Sequence, residues 1–89
     1  MNVVNPADGS PIRELSEDDS LAIVRKFTRA REAQQAWAAQ PLAERLATTR
    51  RFRAEVARRR EELAATLTRE MGKPIRQARN ELTALDERL

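Results

Sequence analysis

Apolar positions along this chain change their spacing once, near residue 16. Before it they form two short clusters, Val3-Val4 and the mixed run at residues 12–15, separated by "NPADGSP". Pro6 suits the second position of a turn, Asp8 tolerates unusual backbone angles, and Gly9 supplies a positive φ. The pattern predicts an extended arm or small β-hairpin over residues 1–15. A lone hairpin is marginal in water, so this arm must lie on something.

Beyond it the spacing is helical. "SEDDSLAIV" begins with a serine followed three residues on by Asp19, with acids filling the first turn, so Ser16 is the expected N-cap. Ile23, Phe27, Ala30 and Trp37 share one face, and Arg25, Lys26, Arg29, Arg31 and Glu32 lie largely off it. One helix is predicted to about Ala39. Pro41 then stands where a first turn tolerates proline. Leu42, Leu46, Thr49, Phe52, Val56, Leu63, Leu67 and Met71 continue the helical period, interrupted only at Arg59 or Arg60. This predicts a single long second helix, and the short "AQP" link predicts that the first two helices fold back as a hairpin. Gly72 is placed to stop the second helix in the left-handed conformation. Pro74 opens a third over residues 75–89, with Ile75, Ala78, Leu82, Leu85 and Leu89 on one face. The expected fold class is mainly α: an arm over residues 1–15 and a three-helix segment over residues 16–89, together one partial domain.

Composition narrows what such a fold can do. The 89 residues are 40% hydrophobic, but many of these are alanine, and the aromatics are only Phe27, Trp37 and Phe52. A core this thin predicts self-association, or packing on a larger protein body. The net charge is +3, yet 14 acids are interleaved with 17 bases, which argues against a dedicated nucleic-acid binder. No 18-residue apolar run occurs, so no membrane span is expected, and the expected location is cytoplasmic. Neither cysteine nor histidine is present. Within these residues that removes disulfides, thiolate nucleophiles, thiolate or imidazole metal sites, and triads built on either side chain.

The remaining candidates are weak. Gly72-Lys73 as a phosphate cradle lacks the upstream glycines and the following Ser or Thr, and Pro74 comes next. Arg50, Arg51, Arg53, Arg58, Arg59 and Arg60 spread around a helix rather than forming one basic face. Glu55, Glu61 and Glu62 offer four-residue partners in Arg51–Glu55, Glu55–Arg59 and Arg58–Glu62. The adjacent pairs Asp18-Asp19 and Glu61-Glu62 point about 100° apart on a helix, so neither forms a proton-sharing dyad. Trp37 reads as packing surface. Glu70 has no nucleophile to activate. No catalytic, cofactor-binding or metal site residue is assigned.

The order of features is more specific than any one of them. Asn5, Pro6, Ala7 and Gly9 in an opening strand turn are followed by Trp37 ahead of Pro41 and the Glu44-Arg45 pair. Glu70, Gly72, Lys73 and Pro74 come next, then Glu81. This series resembles the beginning of the aldehyde dehydrogenase superfamily, and "TREMGKPIRQAR" is most similar to its succinate-semialdehyde dehydrogenase branch. The resemblance spans essentially the whole chain but only the first fifth or so of such an oxidoreductase. It implies the opening strands and helices of an NAD- or NADP-binding domain, with the catalytic cysteine, general-base glutamate and oxyanion-hole asparagine lying later. The parent reaction it implies is cysteine attack on an aldehyde, hydride transfer to the nicotinamide, and thioester hydrolysis. None of those functional residues maps onto this sequence. The expectation is therefore an N-terminal fragment that is inactive by itself. Two alternatives are a stand-alone helical interaction module derived from the family and, less favoured, a small basic nucleic-acid binder.

Overall fold

The computed structural model describes residues 1–89 as a two-stranded hairpin followed by four helices. Strands β1 (Asn2–Val4) and β2 (Pro11–Glu14) pair antiparallel, with Asn2 opposite Glu14, Val3 opposite Arg13 and Val4 opposite Pro11. That register leaves Ile12 as an extra residue in a bulge. The turn is closed by backbone bonds from Asn5 N to Ser10 O and from Gly9 N to Asn5 O, 2.9 and 2.7 Å. Gly9 has the expected positive φ of 72°. Asp8 does not take a positive φ. Instead its Oδ1 accepts from the backbone N and the hydroxyl of Ser10, at 2.9 and 2.7 Å. These two bonds hold its carboxyl below the usual aspartate range.

Helix α1 (Ser20–Ala39) begins three residues later than the serine signal predicts. Its cap is Asp19, whose Oδ1 accepts from Ala22 N at 2.7 Å. Ser16 fails as the cap because the chain just before it is still part of the hairpin. Leu15 N donates to Met1 O at 2.9 Å, and the Met1 ammonium donates to Leu15 O at 2.8 Å.

The predicted second helix is two helices, so the three-helix segment has four. Helix α2 (Leu42–Arg58) and helix α3 (Arg60–Met71) meet at Arg59, whose φ of −98° and ψ of 14° leave the helical basin. The break falls at the gap in the apolar stripe between Val56 and Leu63. With no apolar side chain there to pack in line, α3 is free to turn toward α4 (Ile75–Arg88). Gly72 ends α3 as expected, with φ 70°, and its N–H donates to Thr68 O at 2.9 Å. Pro74 then opens α4, its carbonyl accepting from Gln77 N and Ala78 N at 2.9 and 3.1 Å.

The mainly α class with an N-terminal β-hairpin holds, but the helical hairpin is made by a different pair. Helices α3 and α4 lie antiparallel across the Gly72-Lys73-Pro74 link, while α1 makes no extensive contact with any element. The core is accordingly small. Ala64 on α3 and Ala78 on α4 are fully buried, Val56 is buried on α2, and no other residue is. The molecule is a flat layer of 47 × 36 × 15 Å, barely thicker than one helix. Its radius of gyration is 17.1 Å, against about 12 Å for a compact domain of this length.

Candidate functional site

Two of the groups singled out in sequence meet, the hairpin turn at Pro6 and the Gly72-Lys73 stop, whereas Trp37 lies on α1, away from this junction. Pro6, in the hairpin turn, lies over Gly72 so closely that a Cβ there would sit 2.8 Å from Pro6 Cγ. Lys73 forms an ion pair with Glu81, about two turns into α4. Asn5 Oδ1 accepts from Ala7 N at 3.0 Å and holds the turn in shape. Beside this junction Ile12 and Arg13 of the hairpin and Thr66, Arg69 and Glu70 of α3 line a shallow groove. The arm thus rests on the C-terminal half of α3. Sequence reading placed these residues in one series without seeing that they touch. Opposite charges at Lys73 and Glu81 were the available signal, but their separation exceeds the i,i+4 reach of one helix.

The same geometry argues against a phosphate site. A dinucleotide cradle needs several backbone N–H groups turned into open space beside a free lysine. Here the left-handed Gly72 faces Pro6, and Lys73 is engaged by Glu81. The residues present do not fit a pyrophosphate, and no step through a nicotinamide is derived from them. The Glu70 carboxylate in the groove has no nucleophile to serve. Its neighbour Thr66 donates its hydroxyl to Glu62 O at 3.1 Å, as a helical threonine commonly does. No group of three or more acidic side chains is placed to hold a metal ion.

The arginine cluster is mostly engaged within the molecule. The expected four-residue pairs do not form. Arg58 instead reaches back three residues to Glu55, and Arg59 reaches forward three to Glu62, each Nε–Oε2 contact at 2.9 Å. Arg51 donates to Thr48 Oγ1 at 2.8 Å. Arg53 grips Asp86 with two bonds of 2.9 and 3.0 Å, tying α2 to the end of α4. Arg60 reaches Thr83 Oγ1 at 2.6 Å and Arg79 O at 3.2 Å. Arg79 in turn donates to Glu61, with its shortest contact 2.8 Å. Guanidinium hydrogen bonds hold Glu55, Glu61, Glu62 and Asp86 below their usual carboxylate range. The adjacent acids diverge as expected. Glu61 turns to Arg79 and Glu62 to Arg59, while Asp19 caps α1 and Asp18 pairs with Lys26.

What remains unused is apolar. Phe52, Val56, Leu63, Leu82 and Leu85 line an open groove between α2, α3 and α4, with Glu55 and Arg59 on its rim. On α1, Leu21, Ile23, Val24 and Phe27 are each more than half exposed, and Trp37 is 39% exposed. No helix is long and apolar enough to cross a membrane.

The Aldehyde dehydrogenase family matches residues 1–87. Among curated proteins, the N-succinylglutamate 5-semialdehyde dehydrogenase of Novosphingobium aromaticivorans is 41% identical over 80 residues. Enzymes of the same name from Paraburkholderia xenovorans and Burkholderia mallei are 38% and 37% identical over 81 residues. The alignments cover 90–91% of this chain but only 16–17% of those relatives' own length. No solved structure matches. The chain belongs to the aldehyde dehydrogenase family.

Proposed function

We propose that these residues are the opening scaffold of an NAD(P)-dependent aldehyde dehydrogenase that oxidises an acid semialdehyde in the cytoplasm, and that they carry no chemistry alone. The observation that carries this reading is the match along nearly the whole chain, to relatives named for N-succinylglutamate 5-semialdehyde. That name favours N-succinylglutamate 5-semialdehyde over the succinate semialdehyde suggested by "TREMGKPIRQAR". Both compounds bear an aldehyde on a carboxylate-bearing carbon chain, so the substrate class is the same. The Pro6–Gly72 and Lys73–Glu81 contacts support a structural role. They use up the one glycine–lysine element in holding the arm and α4 together. The engaged arginines likewise favour a scaffold over a nucleic-acid face.

Incubating the purified chain with NAD or NADP and either semialdehyde tests the reading, with absorbance at the reduced-nicotinamide band followed over time. The expected result is no turnover above background. Turnover that purifies with the chain, and is lost when Gly72 or Lys73 is substituted, would overturn it.

A further inference from the structure

We draw no further inference here: the strongest candidate, the open apolar groove that Phe52, Val56, Leu63, Leu82 and Leu85 line between α2, α3 and α4, carries none, because the chain spans only 16–17% of its relatives' length and nothing in the structure shows what covers it.

Discussion

Gly72 answers to two constraints that can be measured apart. Its φ of 70° belongs to the left-handed region, where a Cβ costs about 1–2 kcal/mol. Its Cα also faces Pro6, so an added methyl meets Pro6 Cγ at 2.8 Å. Gly9 supplies the internal control, with φ 72° and nothing within 4 Å of its virtual Cβ. Gly9→Ala should therefore show the backbone cost alone. Gly72→Ala should cost at least about 1 kcal/mol more, the usual scale of overpacking. Adding Pro6→Ala should recover that extra part, because only Pro6 Cγ is too close. Denaturant melts of the three variants check this. Equal losses for Gly9→Ala and Gly72→Ala would show that the hairpin does not press on α3.

Between elements, the restraints are more ionic than apolar. Ala64 and Ala78 permit close approach of α3 and α4 but bury little area, whereas Glu61–Arg79 and Asp86–Arg53 bridge α3 and α2 to α4. The folded pKa values of Glu61 and Asp86 lie below those of the unfolded chain, because their arginines favour the charged forms. Their contribution is therefore fully present above the unfolded values of about 4.3 and 3.9, and is lost as pH falls through the lower folded values. Melting temperature should be flat from pH 7 to about 5 and fall at more acid pH. Because these side chains are substantially exposed, the acid limb should shrink at high salt. Glu61→Gln with Asp86→Asn should reduce it, leaving the part that comes from Asp8, Glu55 and Glu62. A melting temperature unchanged between neutral pH and pH 3 would remove these bridges from the account.

As a whole, the molecule hides too little of itself to unfold sharply. An unfolded chain of this mass exposes about 14,800 Å², so the 7480 Å² left exposed means that only about half is hidden. Even a 60-residue domain hides about 60%. The dependence of stability on urea scales with newly exposed surface, so in dilute solution its slope should fall below that of compact proteins of equal length. A steep transition independent of concentration would mean that the monomer closes a sufficient core by a packing other than this one.

Much of this architecture was legible because its causes are local. Turn chemistry at Asn5–Ser10, the helical period of the apolar residues, the glycine stop at Gly72 and the proline restart at Pro74 each act within a few residues, and the family series could be read from them. The mis-set start of α1 and the missed break at Arg59 share a different cause. Ser16 was a sound local cap, but Leu15 is bonded to Met1 across the hairpin, and Asp19 takes its place. Arg59 has ordinary helix propensity, and its departure from the helix serves the approach of α3 to α4. Arginine partners were likewise chosen by where helices lie, so Arg53 found Asp86 and Arg79 found Glu61 rather than neighbours in sequence. The sequence alone therefore determined where the hairpin and the helical stretches lie and which family they belong to, since propensity, capping and motif order are short-range. Only the tertiary structure decided that α3 pairs with α4 while α1 stands clear, because that choice depends on the close approach allowed by Ala64 and Ala78 and on ion pairs spanning 18 and 33 residues.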